Sequence, residues 1–372
     1  EAHRNGMAAP DPEPASALEY VYPPAYVSEK YPEGLHYVND APKKKLIEGI
    51  NETLKAEFRH NPDTYLWGQD VAHKDKGGIF NVTKGMQQEF GRERIFNAPI
   101  AEDFIMGTAN GMSRFNPKIR LVVEGAEFAD YFWPAMEQFV ETTHDYWRTK
   151  GQFSPNVTVR LASGGYIGGG LYHSQTIEGA LAPFPGGRVV YPSYAADAGG
   201  LLRTAIRSEG FTMFLEPKAL YNSPIASALV PDDFEVPFGK ARIRREGTDM
   251  TVLTYGNTTH MCLQAAEKIG LESGASIEVI DLRSLIPLDK ETILASVKKT
   301  GKVLIVHEDK VFSGFGAELS AIITEEAFEY LDGPIRRVGS TFTPVGFNRI
   351  LEMFILPNSE KIEGAMKGLL EY

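Results

Sequence analysis

Glu102 is the first residue whose type and position suggest chemistry. It lies in the apolar stretch IFNAPIAEDFIMGTANGMS, between a predicted strand and a predicted helix of small residues. An acid in the first turn of a helix is stabilised by the helix dipole, and Asp103 can fill that structural role alone. Because ligands of open α/β sheets collect at the carboxyl ends of strands, Glu102 is then free to share a proton with a bound ring nitrogen.

His173 is the second candidate, and a glycine-rich stretch precedes it. The segment ASGGYIGGGLYHSQ has five glycines within seven residues, which permits close approach to the backbone. Its spacing is neither the dinucleotide fingerprint Gly-x-Gly-x-x-Gly nor a phosphate loop. Ser174 is a predicted N-cap, and the amino end of the following helix would keep His173 neutral and able to relay a proton. A purely structural histidine is an equally good interpretation of this stretch alone.

The remaining polar residues form no self-sufficient site. His307 ends a predicted strand, where it could face a ligand or a partner. The sequence has neither a His-x-x-x-His pair nor a Gly-x-Ser-x-Gly nucleophile elbow. The single cysteine, Cys262, allows no intrachain disulfide and no cysteine metal cluster, so we predict no metal ligands. Taken alone, the residues give two candidates and no complete reaction.

Alternating helices and strands must position these candidates. Apolar stretches such as IRLVVEGA and NVTVRLASGG read as buried strands, and helices of crossover length separate them, so a mainly parallel sheet is expected. The composition becomes rich in proline before the alternation restarts. The predicted fold class is α/β with two doubly wound domains. We expect a Pro-rich arm at 1–42, a first domain at 43–216, a linker at 217–238 and a second domain at 239–372.

Length and charge exclude several classes of protein. A chain of 372 residues is too long for one ordinary core, and its net charge of −11 disfavours nucleic acid and anionic membranes as partners. No apolar run reaches the roughly 18 to 20 residues that span a bilayer, and the start EAHRNGMAAP lacks a signal pattern. We therefore expect a cytoplasmic protein. The chain starts at Glu1 rather than Met, which suggests trimming or a longer product.

Five separated motifs resemble the beta subunit of the thiamine-dependent, decarboxylating component of 2-oxo acid dehydrogenase complexes. They are NAPIAED, EFADYFWPAMEQ, GGLYHSQ, FLEPKALY and EVIDLRSLIPLD. The resemblance extends from Lys43 to Tyr372, and FADY followed by FWPA is closer to the branched-chain members than to the pyruvate members. It implies a thiamine pyrimidine-binding domain followed by a transketolase-like C-terminal domain.

The resemblance also implies roles for individual residues. Glu102 would hydrogen-bond the aminopyrimidine ring of thiamine diphosphate and favour its imino tautomer, which takes the proton from the thiazolium C2. Ile100 and Tyr131 would line the pyrimidine pocket, and His173 would lie at the substrate end. Glu127, where family members often have glutamine, would lie near the cofactor. Two further departures are Gln69, where glutamate is common, and the insert HKDK after it.

Motifs that this chain lacks imply a partner. Family members hold the diphosphate and Mg²⁺ with a Gly-Asp-Gly and a downstream Asn of the alpha subunit, and this chain has neither. The resemblance thus implies an alpha subunit or a fused alpha domain, whose tail the arm resembles. It further implies a second beta copy and an acyltransferase core with a lipoyl domain, to which an acidic surface would attract a basic domain.

The expected reaction is the oxidative decarboxylation of a branched-chain 2-oxo acid with acyl transfer to lipoyl-lysine. Pyruvate or acetoin is the alternative substrate, because only pocket residues distinguish these cases. A catalytically silent structural subunit is the non-enzymatic alternative. The presence of both Glu102 and His173 argues against it.

Overall fold

The computed structural model describes residues 1–27, 42–73 and 76–372. The rest of the predicted arm, 28–41, and residues 74 and 75 of the HKDK insert lie outside the described residues. The strands are β1 Thr64–Gly68, β2 Ile95–Asn97, β3 Arg120–Ala126, β4 Val157–Ser163, β5 Gly187–Val190, β6 Phe211–Pro217, β7 Arg242–Arg245, β8 Met250–Thr254, β9 Ile277–Asp281, β10 Ser284–Ile286, β11 Val303–Lys310 and β12 Arg336–Ser340. The helices are α1 Ala2–Ala8, α2 Leu46–His60, α3 Met86–Phe90, α4 Glu102–Phe115, α5 Met136–Arg148, α6 Glu178–Leu181, α7 Ala195–Arg207, α8 Asn257–Ser273, α9 Lys290–Thr300, α10 Phe315–Ala327, α11 Arg349–Ile355 and α12 Ser359–Leu370.

The described strands form two sheets, which confirms the predicted fold class. The first sheet has seven strands in the order β10-β5-β6-β4-β3-β1-β2, and the second has five in the order β12-β11-β8-β9-β7. Pairing is parallel except at β10 with β5 and at β7 with β9. Both exceptions are edge strands of their sheets. Helices follow most of the parallel strands, as crossover connections require.

Strand β10 joins the two halves of the chain. It follows β9 of the second sheet in sequence, yet it pairs with β5 at the edge of the first sheet. Below, the first domain denotes the described residues from 42 to 217, and the second domain denotes residues 239–372. The two domains therefore share a sheet edge in addition to their side-chain contacts.

Helix α2 shows how the apolar pattern attaches helices to the first sheet. Leu46, Ile50 and Leu54 recur at helical spacing, and all three are fully buried. The buried face packs against α7, where a Cβ on Gly49 would lie 3.0 Å from the carbonyl oxygen of Ala195. Burial of each such leucine or isoleucine contributes about 1.5–3 kcal/mol. Small residues at the contact let the two helices approach closely enough to bury these side chains.

The described part of the arm lies on the first domain of the same chain. It contains helix α1 and a short 3₁₀ turn at Pro14–Leu18. The Nε1 of Trp147 donates to the carbonyl of Ala17 at 2.9 Å, and the backbone N–H of Tyr26 donates to Oγ of Ser208 at 2.9 Å. These hydrogen bonds fix the arm along α5 and the end of α7.

Candidate active site

Several candidate residues follow neighbouring parallel strands of the first sheet. Gln69 follows β1, Glu102 follows β2 by a short turn, and Glu127 follows β3. The glycine-rich segment with His173 follows β4. Because these strands are adjacent in the order β4-β3-β1-β2, their carboxyl ends bring the residues to one edge. Residues that are tens of positions apart in the sequence are thus brought close together by the sheet.

Glu102 and Asp103 occupy the first turn of α4 but have different surroundings. Ala101 is the N-cap, and Glu102 is only 7% exposed, whereas Asp103 is exposed. The Nε2 of Gln69 donates to Oε1 of Glu102 at 2.7 Å. This bond fixes the carboxylate at the edge of the sheet. The exposed Asp103 is available for the structural role, as the sequence predicted for one of the two acids.

In the sequence, Gln69 stands out only as a departure from a common glutamate. Its side-chain amide donates a hydrogen bond to Glu102. A glutamate at this position could donate only if it were protonated, and two ionised carboxylates at that separation would repel each other. Gln69 is therefore a further residue of the candidate site, and its position directly after β1 is the signal in the sequence.

Glu127 is half-buried on the neighbouring strand end. Burial raises the pKa of its carboxyl, and the negative charge of Asp70 raises it further. Both effects favour the protonated form. This direction agrees with the interpretation that a glutamate can replace glutamine here by carrying a proton.

Ile100 and Tyr131 lie at the mouth of this edge. Ile100 is 84% exposed and Tyr131 is 43% exposed in the chain alone. Both side chains are thus open to solvent rather than enclosed in a pocket, and together we call them the apolar rim. Such exposed apolar side chains beside a buried carboxylate are typical of a surface that a ligand or a partner covers.

His173 belongs to an aromatic cluster. The centroid of its ring lies 4.0 Å from that of Phe128 and 5.2 Å from that of Tyr131. The Nζ of Lys218 donates to the backbone carbonyl of His173 at 2.8 Å. Burial lowers the pKa of Lys218 to about 8. The structure therefore brings His173 and Tyr131 together and adds Phe128 and Lys218, which the sequence analysis missed although FADY and FLEPKALY contain them.

Asp130 is a further missed residue of the cluster. Its Oδ2 accepts a hydrogen bond from the backbone N–H of Gln175 at 3.3 Å. Burial raises the pKa of Asp130 above its ordinary value, although the charge of Lys218 and the hydrogen bond from Gln175 act to lower it. This contact ties the segment after β3 to the segment that contains His173. Asp130 could have been suspected because it follows a buried strand that ends near the candidate site.

The predicted N-cap role of Ser174 is wrong. Helix α6 begins only at Glu178, its N-cap is Ile177, and His173 instead follows a 3₁₀ turn at Gly170–Tyr172. The segment stays outside a helix because the carbonyl of Gln175 accepts the backbone N–H of Gly164, closing the loop at its base. His173 therefore does not lie at the amino end of a helix.

His307 lies in the interior of the second domain. It lies within β11, it is fully buried, and burial lowers the pKa of its imidazole to about 4. A Cβ on Gly316 would lie 2.2 Å from its Nε2. His307 is a packed residue of the second domain.

Two further features of the described residues bear on the site. Across 1–27, 42–73 and 76–372, no group of three or more His, Cys, Asp or Glu side chains is arranged to hold a metal ion. Within the same ranges, none of the helices combines the length and the apolar character needed to span a bilayer.

Comparison with known proteins agrees with this architecture. The family model of the transketolase pyrimidine-binding domain matches residues 43–224, and that of the transketolase C-terminal domain matches residues 239–362. The 2-oxoisovalerate dehydrogenase subunit beta of Bacillus subtilis is 38% identical over 328 residues, which cover 88% of this chain and 98% of that protein. This chain belongs to the family of 2-oxo acid dehydrogenase beta subunits. The resemblance predicted from five motifs is confirmed.

Other members of the 2-oxo acid dehydrogenase beta family show the same extent of similarity. The 2-oxoisovalerate dehydrogenase subunit beta of Pseudomonas aeruginosa is 39% identical over 342 residues, with 88% of this chain and 95% of that protein covered. The pyruvate dehydrogenase E1 component subunit beta of Staphylococcus epidermidis is 34% identical over 330 residues, with 88% and 98% covered. The pyrimidine-binding domain places the family among thiamine diphosphate-dependent proteins.

The fold likeness extends beyond this beta-subunit family. A solved split-gene transketolase, described as an inactive β4 tetramer, superimposes with a TM-score of 0.69 at 22% identity. The match covers 88% of this chain and 98% of the transketolase chain. At this identity the likeness concerns the fold alone.

Proposed function

We propose that this chain is the beta part of a thiamine diphosphate-dependent dehydrogenase for a branched-chain 2-oxo acid. The enzyme decarboxylates the substrate oxidatively and transfers the acyl group to a lipoyl-lysine of an acyltransferase. The observation that supports the proposal is the hydrogen bond from Gln69 to the buried carboxylate of Glu102 at the carboxyl edge of the first sheet.

The surroundings of Glu102 fit an aminopyrimidine ring. The carboxylate is nearly buried and fixed by one donor, and the apolar side chains of Ile100 and Tyr131 stand exposed at the same edge. When bound, thiamine diphosphate supplies a thiazolium carbon that becomes nucleophilic on losing its proton. The role of Glu102 is to hold a proton at its carboxylate against a weakly basic ring nitrogen. Gln69 supports that role, because it orients the carboxylate without adding a second negative charge.

His173 serves the substrate end of the site. Its ring packs against Phe128 and Tyr131, and Lys218 holds its backbone carbonyl. An imidazole fixed in this manner can donate or accept a proton at the reacting carboxylate or acyl group. Glu127, whose pKa is raised by burial and by Asp70, would lie near the pyrimidine.

Completion of the site by an alpha subunit or a fused alpha domain is part of the proposal. The exposed Ile100 and Tyr131 support it, since an apolar rim of this kind is stabilised when a partner covers it. The alpha partner would hold the diphosphate and Mg²⁺. A second beta copy and an acyltransferase core would complete the assembly, and we place the enzyme in the cytoplasm. The domain limits of 43–216 and 239–372, joined by the linker 217–238, also belong to the proposal.

Pyruvate is the second candidate substrate. It is favoured by the similarity to the Staphylococcus epidermidis pyruvate dehydrogenase subunit, which is only a few per cent less identical than the 2-oxoisovalerate dehydrogenase subunits. Comparing turnover of 3-methyl-2-oxobutanoate with turnover of pyruvate decides between them.

The decisive experiment compares two adjacent acids. The chain is combined with its alpha partner, thiamine diphosphate and Mg²⁺, and reduction of an artificial electron acceptor is followed. Glu102→Gln is expected to lose turnover about a hundredfold or more, because the proton-holding carboxylate is gone. Asp103→Asn is the matched control and should retain it, since Asp103 is exposed in the same helical turn. Unchanged turnover of the Glu102→Gln protein would contradict the assigned role.

A further inference from the structure

The glycine-rich segment meets three carboxylates of the second domain. We call residues 164–179 the glycine loop. Gly165 N–H donates to Oε2 of Glu308 at 3.1 Å, and Gly168 N–H donates to Oε1 of Glu352 at 3.2 Å. At the far end of the loop, Gly179 N–H donates to Oδ2 of Asp309 at 3.1 Å. The loop belongs to the first domain, and all three acceptors belong to the second.

Two glycines of the loop, Gly164 and Gly179, are required by the close approach of carboxylates. A Cβ on Gly164 would lie 2.3 Å from Oε2 of Glu308, and one on Gly179 would lie 2.4 Å from Oδ2 of Asp309. Gly164 also has a φ of 89°, which disfavours other residues. Close approach to carboxylates thus explains these two glycines, whereas a Cβ on Gly165 would lie 2.5 Å from Cδ1 of Leu356.

Lys218, the first residue after the first domain, holds the loop as well. Its Nζ donates to the backbone carbonyl of His173. The hydroxyl of Tyr166 in the loop donates to the carbonyl of Pro357 of the second domain at 2.7 Å. The backbone of the loop that contains His173 is therefore held both by Lys218 and by acceptors of the second domain.

We propose that Glu308 and Glu352 are positioning residues, which hold the glycine loop so that His173 is oriented at the substrate end of the site. This inference rests on the proposed function. The second domain then contributes to the reaction through the loop and not only as a platform for partners. Neither carboxylate touches the substrate in this role.

The surroundings of Glu308 disfavour its charged form, which is typical of a group that serves a site. The pKa of Glu308 is raised to about 7, mainly by burial and partly by the charge of Glu352, although the N–H of Gly165, Lys218 and Asn257 act to lower it. Tyr166 and Tyr191 also face the carboxylate, and its negative charge contributes to their raised pKa values. Such a carboxylate is retained at a cost to stability, which is common where a group serves a site.

The test is a double-mutant cycle in the complete enzyme with its alpha partner. Glu308→Gln is expected to lower kcat roughly tenfold with KM nearly unchanged, because a misplaced His173 slows the chemical step. In a His173→Ala background, the same substitution should cause no further loss. An equal loss in both backgrounds would overturn the inference, since it would indicate a general structural effect.

A second variant and a second measurement make the outcome independent of one substitution. Glu352→Gln should show the same non-additivity with His173→Ala. Glu363→Gln, which removes a surface partner of Lys268 in the same domain, is the matched control and should leave kcat unchanged. At pH 8, above the pKa of about 7 of Glu308, backbone amide exchange at Gly165 and Gly168 should accelerate several-fold in Glu308→Gln and Glu352→Gln respectively, because a charged acceptor is stronger than a neutral one.

The exchange measurement separates failure of this inference from failure of the proposed function. If the wild-type enzyme turns over no 2-oxo acid, the proposed function fails, and amide exchange still decides whether the carboxylates hold the loop. Unchanged exchange in both variants would overturn the inference. If the wild-type enzyme is active and the effects are additive, only the inference fails.

Discussion

The two domains meet through buried carboxylates at two places that differ in how charge is balanced. At the first, Asp197 of α7 pairs with Arg244 and Arg283 of the second domain, and its Oδ1 lies 2.8 Å from Nη1 of Arg283. At the second, Glu308 and Glu352 accept backbone N–H groups of the glycine loop. We call these the ion-pair contact and the loop contact. At the ion-pair contact the buried carboxylate is paired with positively charged guanidinium groups. At the loop contact the carboxylates interact mainly with the dipoles of backbone N–H groups.

The pKa values express this difference. Although burial raises the pKa of Asp197, Arg244 and Arg283 lower it to about 2. Burial raises the pKa of Glu308 to about 7. Asp197 therefore remains ionised throughout the usual pH range, while Glu308 titrates within it. The ion-pair contact is built for stability, and the loop contact is adjacent to the residue that we assign to the substrate.

The largest expected effect comes from breaking the ion-pair contact. Asp197→Asn would leave two buried guanidinium groups without one of their anionic partners, and loss of a partner from a buried ion pair costs about 3–5 kcal/mol. The free energy of unfolding, measured by urea denaturation, should fall by this amount. A decrease below about 1 kcal/mol would show that the remaining groups, such as Asp281 beside Arg244, compensate.

The loop contact should respond to pH in the opposite sense to a matched ion pair. The folded-state pKa of Glu308 is about 7 and its ordinary value is 4.5. Its stabilising contribution is therefore present below pH 4.5 and is lost as the pH rises through about 7. This loss is on the order of 3 kcal/mol for such a difference.

Glu308→Gln should abolish that pH dependence. The measurement is the free energy of unfolding at pH 5 and at pH 8, in the wild type and in the variant. We expect the variant to lose less stability between these two pH values than the wild type does. The same loss in both proteins would contradict the assignment. Asp197, in contrast, contributes stability above pH 3.8 that disappears only as the pH falls through about 2.

The sequence predicted the edge of the first sheet better than it predicted the loop contact. Glu102 could be proposed because it lies near the carboxyl end of a strand, which is visible in the local apolar pattern, and His173 because a glycine-rich stretch precedes it. Glu308 and Glu352 could not be connected to the glycine loop, because their partners Gly165 and Gly168 lie 143 and 184 residues away in the chain. Only the packing of one domain on the other brings them together.

One local error has a tertiary origin. Ser174 has the residue type of an N-cap, but contacts of Gly164 and Asp130 hold its segment outside a helix. Tertiary hydrogen bonds here override a correct local preference.

The smallest expected effect comes from breaking a surface ion pair. It tests whether burial or the distance between the charges determines how much an ion pair stabilises the protein. On the surface of the second domain, Nζ of Lys268 lies 2.6 Å from Oε2 of Glu363, which is shorter than the 2.8 Å between Arg283 and Asp197. The side chain of Lys268 is more than half exposed, so water and salt screen the pair. Glu363→Gln should therefore leave the urea midpoint unchanged within experimental error. A destabilisation comparable to that of Asp197→Asn would show that separation of the charged atoms, rather than removal from water, determines what an ion pair contributes in this protein.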